Sequence, residues 1–152
     1  MKKVKKVVVG GTFEMLHKGH KAFLKKAFEL GKVSIGLTSD MMARERKKGE
    51  VKNFKLRKKQ LKDFILKEFS EKPEIVKIED KFGFAIERDF DFVVVSPETY
   101  KTAVEINKER QKRNKKPIKI AEIKFVLAED RKPISATRIL KGEINKEGQL
   151  LK

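Results

Sequence analysis

The chain has no cysteine, no tryptophan, and two histidines among 152 residues. The lack of cysteine excludes a disulfide scaffold, a cysteine-based zinc site and a thiol nucleophile. Two histidines are too few for a His-rich metal cluster. No apolar run approaches the roughly 18–20 residues that span a bilayer. Four of the first six residues are lysine, yet only Val7, Val8 and Val9 follow before Gly10. A secretory signal carries an apolar region of about 7–15 residues. The expectation is a soluble, cytoplasmic protein of a reducing compartment, without a membrane partner.

What the chain does have is charge. Lysine and arginine number 39 and Asp plus Glu 22, for a net charge of +17. The isoelectric point is near 10.0. Basic stretches fall at 2–6, 44–48, 55–62 and 108–119, and acidic residues interrupt most of them. A solvated, mixed-charge surface accounts for this pattern, and a charge-rich, cysteine-free composition suits a thermophile. The same field attracts polyanionic small molecules such as ATP. A basic RNA-binding module is the reading from another class. It calls for exposed aromatics to stack bases, whereas this chain has one Tyr and 11 Phe, and the Phe fit core positions.

A length of 152 residues is one domain's worth, 1–152, with 39% apolar residues to fill a core. Short β-branched runs predict strands at 5–9, 33–37, 74–78, 92–95 and 118–127. Helical spacing predicts helices at 17–30, from 40 to about 45, 54–69, 96–114 and 134–141, with a helix or turn at 82–88. Residues 47–53 read as a charged loop, and a short polar tail begins at about 143. The alternation of strands and helices predicts an α/β fold: a Rossmann-like, open, parallel five-stranded sheet with helices on both faces. Ligands bind such sheets at the carboxyl ends of the strands.

The distinctive residues cluster at those ends. Gly10-Gly11-Thr12-Phe13-Glu14 and His17-Lys18-Gly19-His20 follow the first strand directly. Glycines let a ligand approach the backbone, and the following helix start presents free amides to an anion. His17 and His20, three apart, reach one side of the opening turn. A tight turn with capping histidines is the plainer explanation for any one of these residues; their joint occurrence favours a phosphate site. The patterns for a dinucleotide fold, a P-loop and a hydrolase elbow are all missing. Ile134-Ser135-Ala136-Thr137-Arg138 opens the last helix, with Ser135 as N-cap and Arg138 suited to a phosphate. Alone it is an ordinary capped helix. Arg44, Lys47 and Lys48 form a basic loop able to neutralise a transferring phosphoryl group. Ser96-Pro97-Glu98-Thr99 is either a plain helix start or a contact to a nucleotide base.

Gly-Thr-Phe-Glu at 11–14 with His-Lys-Gly-His at 17–20 resembles the signature of the nucleotidyltransferase superfamily, Gly-Thr-Phe-Asp and His-x-Gly-His. Ile134 to Ile139 resembles its Ile-Ser-Ser-Thr-Arg motif. With Val95 to Thr99 and Ile106-Asn107, the chain is most similar to the archaeal phosphopantetheine adenylyltransferases. Two positions depart from the pattern: Glu14 stands for Asp, and Ala136 for the second Ser. The resemblance implies transfer of the adenylyl group of ATP to 4'-phosphopantetheine, with Mg²⁺ carried on the nucleotide and no protein metal site. It places Thr12 and His20 on the attacked phosphate, and His17, Ser135, Thr137 and Arg138 on the β- and γ-phosphates. Thr12 with Lys47 or Lys48 serves the acceptor phosphate. Gly10, Gly11, Phe13, Ser96, Glu98, Thr99, Asn107 and Ile134 complete the nucleotide set. Within the superfamily, a nicotinamide-mononucleotide adenylyltransferase or a glycerol-phosphate cytidylyltransferase is the alternative.

Overall fold

A computed structural model describes residues 4–47 and 50–151. Five strands, β1 (Lys6–Gly11), β2 (Lys32–Thr38), β3 (Glu74–Ile78), β4 (Phe92–Val95) and β5 (Lys119–Glu122), form one sheet in the order β3-β2-β1-β4-β5. Every pairing is parallel. The helices are α1 (Lys18–Leu30), α2 (Asp40–Lys47), α3 (Phe54–Phe69), α4 (Tyr100–Lys112) and α5 (Ala136–Leu140). This is the α/β architecture expected from the sequence.

Strand alternation divides the core into two layers. Val7 and Val9 face Leu24 and Ala27 of α1 and Leu61 and Ile65 of α3. Val8, Val93 and Val95 face Ala103 and Ile106 of α4 and the turn that carries Ala85 and Ile86. A third cluster joins Ala128, Ile134 and Ile144.

Three expected boundaries move, each for a physical reason. β5 stops at Glu122 instead of 127 because β4 ends at Val95, and Ile123 N–H donates the last ladder bond to Val95 O at 2.9 Å. α4 starts at Tyr100 instead of Ser96, since Ser96 N–H donates to Thr99 Oγ1 at 3.2 Å and closes a turn first. The expected polar tail is folded. Ile144 is fully buried, and Lys146 O accepts from Lys18 N–H at 3.0 Å, so the C-terminal segment braces the first turn of α1.

Candidate active site

β1 and β4 pair only through Val7↔Phe92 and Val8↔Val93. Beyond that point β1 stays with β2, and the sheet opens at its carboxyl edge, between the strands where the direction of chain winding reverses. Two cavities occupy the opening. A cleft of about 400 Å³ is lined by the Gly10–Met15 turn, His17, His20, Lys47, the Ser96–Thr99 turn and residues 134–137. A smaller, mainly apolar cavity of about 70 Å³ adjoins it, among Val9, Gly36, Ile78, Phe84, Val95 and Ile106. Gly10, Gly11, Arg46 and Thr99 line both.

The start of α1 sets the two imidazoles. His17 is the N-cap, with Nδ1 accepting from Gly19 N–H at 3.0 Å. His20 Nδ1 accepts from His17 N–H at 3.2 Å. Each Nδ1 is thus an acceptor, which places the proton of each neutral ring on Nε2. The rings lie 4.1 Å apart, centroid to centroid, and Phe13 packs 5.3 Å from His20. Burial, aided by the Lys47 charge, lowers the His17 pKa to about 4. Burial, then the neighbouring His17 and Lys47, lowers that of His20 to about 3. Both rings are neutral donors near neutral pH. Capping uses only Nδ1 of each ring, so it does not conflict with the phosphate role expected of Nε2. Gly19 is dictated by this cap: a Cβ there would stand 2.7 Å from His17 Cε1.

Thr12 is buried at the edge of the cleft, followed by Phe13 at φ +48°. Beneath it lies Arg57, with no exposed surface. Its guanidinium donates to Thr12 O at 3.1 Å, Thr38 Oγ1 at 3.2 Å, Thr38 O at 2.9 Å, Lys52 O at 2.8 Å and Asp40 Oδ1 at 3.1 Å. Glu14 accepts from Lys52 N–H at 3.0 Å. One arginine therefore ties together the ends of β1 and β2, the start of α2 and the approach to α3.

Of the residues singled out in the sequence, Gly10, Gly11, Thr12, Phe13, His17, His20, Lys47, Ser96, Glu98, Thr99, Ile134, Ser135 and Thr137 line the cleft. Lys48 lies outside the described residues. Three others do not join the set. Arg44, expected in a basic loop with Lys47, lies with it on α2 instead, and it is exposed and not among the residues that line the cleft. Arg138 is held by Asp130, with Nη1 and Nη2 at 3.2 and 2.5 Å from its two carboxylate oxygens, and by Pro133 O at 3.2 Å. The guanidinium keeps Asp130 well below the usual carboxylate range. Arg138 thus secures the loop ahead of α5 instead of lining the cleft. Asn107 exchanges two 2.8 Å hydrogen bonds with the backbone of Ile118, so its carboxamide is used to join α4 to β5. The cleft gains Arg46 and Lys124, which the sequence reading passed over. Partial burial lowers the Arg46 pKa. Arg57 and Thr38 were missed as well, though Arg57, Leu61 and Ile65 recur at a spacing of four on the buried stripe of α3. An arginine on an apolar stripe is the signal that identifies such a residue.

A model of cytidylyltransferase-like proteins matches residues 8–142. The chain belongs to the cytidylyltransferase-like family. Phosphopantetheine adenylyltransferase of Methanosarcina mazei is 49% identical over 152 residues, 97% of each chain. Its namesake in Archaeoglobus fulgidus is 44% identical, over 96% of this chain and 99% of its own. A crystal structure from Archaeoglobus fulgidus, described as that of a protein with unknown function, superposes with a TM-score of 0.76 at 38% identity. It covers 86% of this chain and 99% of its own. A lipopolysaccharide core biosynthesis protein of Thermoplasma volcanium, 20% identical with a TM-score of 0.61, shares the fold.

Proposed function

We propose that this member of the cytidylyltransferase-like family transfers the adenylyl group of ATP to 4'-phosphopantetheine, giving dephospho-coenzyme A and pyrophosphate. The observation that carries the reading is a cation-bearing cleft joined at Gly10–Gly11 to a smaller apolar cavity. It occurs in a chain 49% identical, nearly end to end, to a phosphopantetheine adenylyltransferase. The apolar cavity suits the methyl-bearing arm that follows the 4'-phosphate. Nicotinamide mononucleotide and glycerol phosphate lack such an arm.

In the proposed step an oxygen of the 4'-phosphate attacks the α-phosphorus of ATP in line. The new O–P bond forms as the bond to the β-phosphate oxygen breaks, and pyrophosphate leaves with both electrons of that bond. No protein nucleophile is needed, and positioning and charge stabilisation carry the rate. His20 Nε2–H and Thr12 Oγ–H serve the non-bridging α-oxygens. His17, Ser135 and Thr137 serve the leaving phosphates, and Lys47 and Arg46 the acceptor phosphate. Mg²⁺ enters with ATP as the substrate complex. Among the described residues no group of three or more His, Cys, Asp or Glu side chains is placed to hold a metal ion. The net charge of +17 favours capture of both polyanions.

We also propose a cytoplasmic, heat-adapted enzyme, supported by the cysteine-free, charge-rich composition. The described residues contain no helix long and apolar enough to cross a membrane. The test of function is pyrophosphate release from Mg²⁺·ATP with 4'-phosphopantetheine, nicotinamide mononucleotide or glycerol phosphate, with CTP run beside ATP. Release with ATP and phosphopantetheine alone is expected. Preference for another acceptor moves the chain to a sister activity. Salt-sensitive RNA binding with no turnover replaces the enzyme by the RNA-binding reading.

A further inference from the structure

The hydroxyls beneath the cleft form a chain with a direction. Arg57 has only donors, and its Nη1 donates to Thr38 Oγ1 at 3.2 Å. Thr38 Oγ1 lies 3.0 Å from Thr12 Oγ1 as its donor. All three side chains belong to buried residues. Arg57 cannot accept the single hydroxyl proton of Thr38, and among the described residues Thr12 Oγ1 is the acceptor that the hydroxyl reaches, so the proton goes to Thr12. Thr12 Oγ1 is then already an acceptor on its inner side. Its own proton is released to the cleft, which Thr12 lines. An anionic oxygen needs such a donor, whereas a hydroxyl free to rotate offers a lone pair as readily as a proton.

We propose that Thr38, oriented by Arg57, is a positioning residue that fixes Thr12 as a hydrogen-bond donor toward the reacting phosphate. The inference rests on the adenylyl-transfer reading for its reaction and on the hydrogen-bond chain for its residues. Thr38 touches no substrate, and its whole contribution passes through Thr12. Arg57 sets the polarity and also holds the Thr12 carbonyl, so the peptide that precedes the Phe13 turn is fixed by the same group.

The test is a double-mutant cycle on Thr38→Val and Thr12→Val, with Thr38→Ser as the conservative variant. Thermal unfolding of each protein checks that it folds. Removing one preorganised donor costs on the order of a hundred- to a thousandfold in turnover. Thr38→Val, which leaves the Thr12 donor present but unoriented, is expected to lose about tenfold or more in kcat, with a smaller change in KM for ATP. Thr38→Ser keeps the hydroxyl and restores most of the rate. In the Thr12→Val background the Thr38→Val change has almost no further effect, because it acts through a group already gone. Losses that multiply in the double variant, or a Thr38→Ser variant as slow as Thr38→Val, overturn the proposal. The same cycle is run on the affinity for Mg²⁺·ATP by calorimetry. If wild type shows no turnover with any acceptor, the functional reading falls, while coupled or independent binding losses still decide the relay.

Discussion

The two edges of the sheet solve the same problem with the same residue and to different ends. At the carboxyl edge, buried Arg57 gathers carbonyls of Thr12, Thr38 and Lys52. Toward the amino edge, Arg110, 1% exposed, gathers carbonyls of Ala85, Ile86 and Arg88, each at 3.0 Å, and of Lys116 at 2.7 Å. Both also meet one Asp, Asp40 and Asp89. A planar fork with five donors is suited to collecting irregular backbone that no strand or helix satisfies. The difference lies in what surrounds them. Around Arg110 the groups are joined to one another, as Asn107 is to Ile118. Above Arg57, among the described residues, neither His Nε2–H has a hydrogen-bond partner, and the proposed relay gives the Thr12 hydroxyl proton to the cleft. The amino edge is closed scaffold, and the carboxyl edge is scaffold whose remaining donors the proposed function assigns to ligand.

That contrast is sharpened by substitutions, and the largest effect expected is from His20→Ala. It should lower kcat by about a hundred- to a thousandfold, while loss of a capping partner costs stability only about 1 kcal/mol. Steady-state kinetics and thermal unfolding on one preparation separate the two. Arg110→Met should show the reverse. Carbonyls left unpaired cost on the order of 3 kcal/mol, the pair with the 84% exposed Asp89 adding little. The folded fraction should keep wild-type kcat. A kcat that falls with Arg110 would erase the distinction between the edges. Gly19→Ala should follow, since the new Cβ displaces the His17 ring. A lost N-cap costs about 1 kcal/mol, and KM for ATP should rise as the leaving-phosphate donor moves.

The remaining prediction concerns pH, whose effect is negligible near neutrality. His17 and His20 have folded pKa values of about 4 and about 3, below the ordinary 6.5. The unfolded chain therefore binds more protons than the native one between about pH 6.5 and 3. Their contribution is fully present above about pH 6.5 and is lost as the pH falls through that window. Denaturant midpoints of wild type should decline more steeply there than those of a His17→Asn/His20→Asn variant. Equal slopes would contradict the burial of neutral rings. Bound triphosphate should raise both values, read from imidazole resonances on adding Mg²⁺·ATP.

Much of the frame was legible because β-branched runs and amphipathic spacing report on burial directly. β1 and α1 were found within a residue or two, and the glycine turn and both histidines followed from their place after β1. What escaped was non-local. The end of β5 depends on where β4 stops. Asp130 competes for Arg138 from eight residues away. The tail folds because Ile144 completes a cluster with Ala128 and Ile134. Arg57 was hidden in a basic stretch, Lys55 to Lys62, whose other cations are not buried. Only its register with Leu61 and Ile65 sets it apart, as Ala103 and Ile106 do for Arg110.

The most direct test follows the adenylyl group itself. ATP labelled at the α-phosphate is given with Mg²⁺ and 4'-phosphopantetheine to wild type, His20→Ala and Arg110→Met, and the label is traced. The account predicts labelled dephospho-coenzyme A, with one pyrophosphate per turnover, from wild type and from folded Arg110→Met, and almost none from His20→Ala. Label that stays on ATP in wild type, or transfer by His20→Ala at the wild-type rate, would contradict it.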